Sequence, residues 1–159
     1  MNYHNILHDN MLNGEGLRVV LFVSGCEHNC PGCHNPQTHD ANSGIPFTQA
    51  EVEEIFEQLE QPYIKGLTLT GGDPLYRTNY TTLLNLCKTV KEKYPTKDIW
   101  LYTGYRMEEI PRPFMEILKY VDTLVDGRFV ERLKDVNLPY VGSSNQRIIH
   151  FNRRNYDQI

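Results

Sequence analysis

An early stretch of the chain, Arg18-Val19-Val20-Leu21-Phe22-Val23-Ser24, is continuously β-branched and apolar. A run of that length and composition reads as a strand buried on both faces, the mark of a parallel sheet. Shorter runs predict further strands at Leu67-Thr68-Leu69-Thr70, at Asp98-Ile99-Trp100-Leu101-Tyr102 and at Thr123-Leu124-Val125, with a last one around 147–150. Between them the apolar period changes from continuous to helical. Thr48-Gln49-Ala50-Glu51 has the form of a capping box, and Val52, Ile55, Phe56 and Leu59 follow at helical spacing, with Pro62 beyond the end. Helices are also expected over about 80–94 and near 114–120. Residues 1–18 show no clear period and read as irregular. Strands alternating with helices predict βαβ units with right-handed crossovers and a mainly parallel sheet. Four or five strands are too few for a closed eight-stranded barrel, so the expected architecture is α/β, a partial (open) βα barrel, with residues 1–159 as one domain.

Each predicted strand runs into glycine or polar chemistry: Gly25-Cys26, Gly71-Gly72, Thr103-Gly104 and Asp126-Gly127. That places the candidate site at the carboxyl edge of the sheet, where α/β folds bind ligands. A chain of 159 residues buries roughly 68–70% of its unfolded surface and needs no staples. The net charge of −4 argues against a general nucleic-acid binder, and the cluster Arg147, Arg153 and Arg154 reads as a solvated tail. No apolar run reaches membrane-span length, and the first residues lack a signal-peptide pattern, so a cytoplasmic protein is expected.

Three of the four cysteines fall within eight residues, as Cys26-Glu27-His28-Asn29-Cys30-Pro31-Gly32-Cys33. In a reducing compartment such a group points to metal before disulfide. Soft thiolates suit iron–sulfur clusters, and three ligands in one loop leave one iron open to an exogenous ligand. A structural Cys3His zinc site, with His28 or His34 as fourth ligand, is the competing reading. Thr70-Gly71-Gly72-Asp73-Pro74 follows the second strand. Its glycines permit close approach to backbone and Asp73 could add an acceptor, although a plain turn would use the same residues. Cys87 shares a helical face with Leu83, Val90 and Tyr94 and reads as core. Trp100 and Tyr102 read as core or sheet-face residues. Thr103, Gly104, Asp126 and Gly127 either line the site or only make turns.

The C-x3-C-x2-C spacing directly after the first predicted strand, together with the Gly-Gly-acidic motif after the second, resembles the radical S-adenosylmethionine superfamily. A closer resemblance, to the activating proteins of anaerobic (class III) ribonucleoside-triphosphate reductases, runs through Leu21-Phe22-Val23-Ser24-Gly25-Cys26, Cys30-Pro31-Gly32-Cys33, Leu69 to Leu75, Thr103-Gly104-Tyr105, Val125-Asp126-Gly127 and Gly142-Ser143-Ser144-Asn145-Gln146. The resemblance implies that Cys26, Cys30 and Cys33 ligate a [4Fe-4S] cluster with one open iron. It implies S-adenosyl-L-methionine as cofactor, against Gly32, His34 and Gly72, with Gly71 and Asp73 close by. It further implies a glycyl-radical-generating oxidoreductase, whose partners are the large reductase subunit and a low-potential electron donor such as flavodoxin. An activase of a formate-lyase-type enzyme and a non-catalytic zinc module are the alternatives. His34 and Val141 depart from the family pattern, which often has Tyr and Arg there.

Overall fold

The computed structural model describes residues 1–28, 30–33 and 36–151. Seven strands form one sheet: β1 (Asn2–Asn10), β2 (Arg18–Val23), β3 (Ile45–Pro46), β4 (Gly66–Gly71), β5 (Asp98–Tyr102), β6 (Thr123–Asp126) and β7 (Arg147–His150). Their order is β3-β1-β2-β4-β5-β6-β7. The four central strands pair in parallel, with Leu21 opposite Leu69, Leu67 opposite Ile99 and Leu101 opposite Leu124. The flanking strands β1, β3 and β7 pair antiparallel. Among the described residues the sheet is open, and its edges are β3 and β7.

Two expectations about the sheet are corrected. It has seven strands rather than four or five, and the segment read as irregular contains β1. The missed strand has register shifts between Tyr3 and Asn5 and between Leu7 and Asn10. Such bulges break the alternation of apolar and polar residues that would reveal a strand in sequence. Tyr3 and Ile6, three apart, therefore both pack against the core. The strand β3 has only two residues, too short for any periodicity.

Two α-helices, α1 (Gln49–Leu59) and α2 (Tyr80–Lys93), supply the connections. The capping box of α1 forms as expected: Thr48 accepts from the helix backbone and Glu51 accepts from the Thr48 backbone N–H at 2.9 Å. The segment expected as a third helix is a 3-10 helix over Arg112–Lys119. Pro111 and Pro113 remove two amide donors from its first turn, and the bonds observed at its two ends span three residues, Phe114 to Pro111 and Tyr120 to Ile117.

The central strands divide their side chains between two environments. Val19, Leu21, Val23, Leu67, Leu69, Ile99, Leu101 and Leu124 are fully buried in one core with Ile55 and Leu59 of α1 and Leu83, Cys87 and Val90 of α2. Each such large side chain contributes about 1.5–3 kcal/mol by leaving water. Cys87 is thus a core residue. The alternate positions, among them Arg18, Phe22, Thr70, Trp100, Tyr102 and Val125, face the other way. Loops rather than helices cover that face. Tyr140, in the left-handed region at φ 68, stacks edge-on to Trp100 at 5.2 Å and accepts the Tyr102 hydroxyl at 2.7 Å. This pins the 134–146 loop over the sheet.

Arg147 is not part of a solvated tail. It lies in β7, donates to both oxygens of buried Asp126 and bonds Glu108 at 2.9 Å. Arg153 and Arg154 lie outside the described residues. Among those described, no helix is long and apolar enough to cross a membrane.

Candidate cluster and cofactor site

The loop-covered face of the sheet and the carboxyl ends of its strands enclose a cavity of about 720 Å³, within the range of small-molecule sites. Phe22, Thr70, Tyr102 and Val125 form its floor; Cys26, Cys30 and Cys33 line it; Gly71, Gly72, Thr103, Gly104 and Gly127 reach it from three strand ends. Every strand-end motif singled out in the sequence therefore meets at one place, except that Asp126 is turned to Arg147 and the backbone of Met107. Met11, Leu12 and Val136, all exposed, stand at the cavity's border.

The cysteine loop is placed by backbone bonds at its base. Gly25 and Cys26 donate to the carbonyls of Thr38 and His39 at 2.6 and 3.0 Å. All three loop cysteines are half-buried and none is in a disulfide. Burial raises the Cys30 pKa, opposed by the Phe129 backbone N–H and the Arg128 charge. A metal would displace its proton, and an N–H directed at the sulfur suits a bound thiolate. Three thiols around one roomy cavity fit a cluster better than a closed ion cage. Among the described residues no three His, Cys, Asp or Glu side chains converge on a single-ion site.

The glycines of the second motif serve the chain's own packing. Gly71 has φ 106, and a Cβ there would lie 2.5 Å from the Val23 backbone nitrogen. Gly72 donates to the Val23 carbonyl at 2.8 Å, and Asp73 to the Gly25 carbonyl at 2.7 Å. The close approach is thus between the ends of β4 and β2, and it leaves both glycines facing the cavity. Asp73 itself is buried. Its carboxylate accepts from His28 Nε2 at 2.6 Å, Thr103 Oγ1 at 3.0 Å, the Gly104 N–H at 3.0 Å and the Leu75 N–H at 2.9 Å. Gly32 is exposed beside Glu131 and away from the cavity lining. His34 lies outside the described residues.

Sequence reasoning weighed His28 only as a possible zinc ligand. Its ring is buried, with Nδ1 accepting from Arg128 Nε at 3.2 Å. Both nitrogens are committed to protein partners, so a zinc site with His28 as fourth ligand is not formed here. Tyr105 stacks edge-on to the ring at 4.6 Å and donates to Glu27 Oε1 at 2.8 Å. Burial first, then the Glu27 bond, push the Tyr105 phenol up to about 12, so it is a fixed donor at neutral pH. The signals in sequence were a histidine inside the cysteine loop and Thr103-Gly104 at a strand end. The Gly142–Gln146 motif also has a physical role: Gln146 Oε1 accepts the Gly142 and Ser143 amides at 2.8 and 3.1 Å, and its Nε2 donates to the Gly127 carbonyl at 3.0 Å. This holds the end of β6 beside the cavity.

The sequence matches the family model described as a 4Fe-4S single cluster domain over residues 12–149. The chain is 49% identical over 148 residues to the anaerobic ribonucleoside-triphosphate reductase-activating protein of Enterobacteria phage T4, covering 93% of each chain. It is 45% identical to the Escherichia coli protein of the same name, covering 94% of this chain and 99% of that one. For the Haemophilus influenzae protein so named the identity is 43%, with 94% and 97% covered.

Proposed function

The chain belongs to the 4Fe-4S single cluster domain family and to the anaerobic ribonucleoside-triphosphate reductase-activating proteins, and on that premise we propose that it is a radical S-adenosylmethionine enzyme. It would install a glycyl radical on the large subunit of that reductase. The observation that carries the reading is the meeting of Cys26, Cys30 and Cys33 with Gly71 and Gly72 around one cavity at the strands' carboxyl ends. When bound, the cluster would pass one electron to the sulfonium of S-adenosylmethionine, releasing methionine and a 5′-deoxyadenosyl radical able to take hydrogen from glycine.

The chain's own part is to bind, orient and shield. The three thiolates hold the cluster and leave one iron open. Backbone at Gly71 and Gly72 would face the cofactor, with Asp73 behind; the resemblance also implies contacts from Gly32, which here is exposed outside the cavity lining, and from His34, which lies outside the described residues. Phe22, Tyr102 and Val125 exclude water from the floor. The burial and the Tyr140 bond keep the Tyr102 phenol protonated, as a neutral wall rather than a charge. The open sheet supports a protein substrate, since a closed wall would obstruct an incoming loop. That loop would pass the exposed side chains of Met11, Leu12 and Val136. We read residues 1–159 as one cytoplasmic domain of the partial-barrel type, reduced by a low-potential donor such as flavodoxin.

The test is anaerobic reconstitution with iron and sulfide, followed by dithionite, S-adenosylmethionine and the reductase. The expected result is methionine release with a glycine-centred electron-spin signal on the reductase. Cofactor cleavage that never yields that signal would sink the assignment.

A further inference from the structure

The acidic residue of the Gly-Gly-Asp motif is turned away from the cavity it borders. A carboxylate offers about four lone-pair sites. The Asp73 oxygens receive four donors, from His28, Thr103, Gly104 and Leu75. Three of these donors share Oδ2 and the Leu75 amide bonds Oδ1, and Asp73 is not among the residues lining the cavity. The side chains of Asp73 and His28 are 2% and 3% exposed. Because His28 Nδ1 accepts from Arg128, the ring hydrogen sits on Nε2 and points at Asp73. Gly104 has no room for a side chain, since a Cβ there would collide with the His28 ring. His28 lies midway between Cys26 and Cys30. Its neighbour Glu27 is held by Tyr105, from the same segment that bonds Asp73.

We propose that Asp73 is a positioning residue that acts through His28: the pair clamps the cysteine loop onto the ends of β4, β5 and β6 and so sets where the cluster sits relative to Gly71 and Gly72. The proposal rests on the cluster reading above. Without the clamp, the middle of the Cys26–Cys30 loop would lose its tie to the strand ends and keep the Cys26 amide bond to His39 and the Tyr105 bond to Glu27. With it, the loop is tied to three strand ends in the rigid part of the sheet. Groups that orient metal-ligating segments in this way typically matter about 10–100-fold for metal affinity or activity.

The test compares wild type with Asp73→Asn, His28→Phe, His28→Gln and the Asp73→Asn/His28→Phe double variant. Amide hydrogen exchange of Glu27, His28 and Cys30 is read on the metal-free proteins. Iron release to a chelator, the electron-spin spectrum of the reduced cluster, and KM and kcat for S-adenosylmethionine cleavage are read on the reconstituted enzymes. We expect His28→Phe, which fills the ring's space without a donor, and Asp73→Asn each to speed loop exchange and iron release roughly 10–100-fold and to broaden the spin signal. His28→Gln keeps an Nε2 donor and stays near wild type. The double variant is no worse than either single one, because the two groups act as a unit. Unchanged loop exchange and iron release in His28→Phe would overturn the proposal. So would an Asp73→Asn effect on KM of equal size with and without His28, which would make Asp73 a direct ligand of the cofactor. Should His28→Phe fail to fold, the contrast between His28→Gln and Asp73→Asn decides, and equal behaviour of those two overturns the clamp. A wild type that holds iron but never cleaves S-adenosylmethionine sinks the functional reading instead, and leaves exchange and iron release to judge the clamp.

Discussion

Replacing Arg18 with methionine removes a cation that is wholly buried while keeping most of its aliphatic stem. The guanidinium donates to Thr68 Oγ1 at 2.7 Å, to the Glu15 carbonyl at 2.9 Å and to the Leu67 carbonyl at 3.0 Å. It lies 5.5 Å from the Trp100 ring centroid. Its Nη2 is also 2.6 Å from Asp98 Oδ1. That contact is a close ion pair rather than an aligned hydrogen bond, since the same oxygen, though buried, has no hydrogen-bond partner. Removing one partner of a buried ion pair costs about 3–5 kcal/mol, because the remaining charge, and here the carbonyls Arg18 served, stay dehydrated. The Asp98 side chain is 26% exposed, so water can relieve part of the loss, and the lower end of that range, about 3 kcal/mol, is expected. Against a total stability of about 5–15 kcal/mol this is a large fraction. Urea unfolding of the metal-free, thiol-reduced protein, followed by circular dichroism, measures it. The midpoint should fall with the slope unchanged. Adding Asp98→Asn should restore part of the loss, as coupled neighbours do. A loss below about 1 kcal/mol, the scale of an exposed pair, would refute the reasoning. The effect should reach the site as well, because Arg18 carries the Glu15 carbonyl and packs under Gly14, and this segment leads to Met11 and Leu12 at the cavity's border.

Gly71→Ala should destabilise by about 2–4 kcal/mol, from a strained φ and overpacking against Val23; thermal unfolding checks this, and an unchanged midpoint would contradict the strand-end packing. For Asp126, burial pushes the carboxyl pKa up, but the Arg147 hydrogen bonds and the Met107 amide outweigh it and hold the group below the usual carboxylate range. A folded-state pKa below the unfolded one gives stability that is complete above the unfolded value and lost as pH falls through the folded one. Stability should therefore drop as pH falls below about 4, and Arg147→Gln should be less stable at neutral pH yet lose less in acid, as read by denaturation midpoints across that range. Cys87, with no exposed surface and a thiol pushed up to about 12, should resist thiol reagents: the native metal-free protein should titrate with three thiols and the denatured one with four.

Residues adjacent in the chain carried most of what was legible before the fold was known. The parallel strands, the capping box at Thr48 and the three-thiol loop are local patterns, and local sterics, hydrogen bonding and ligand spacing read them without any partner. The convergence of four strand ends on one edge also followed, because parallel βα connectivity puts every such end on the same side. What the pattern could not carry were choices between partners far apart in the chain. Whether Asp73 faced a ligand or the protein depended on His28, 45 residues away, and on Thr103 and Gly104 from another strand. Arg147 looked like a solvated charge until β7 set it against Asp126. The bulged strand β1 hid its alternation, and only pairing with β2 restored it. A sequence determines which groups are present and their local spacing; the packing of separate elements decides which buried donors and acceptors meet, because each such group must find whatever partner the topology brings within reach.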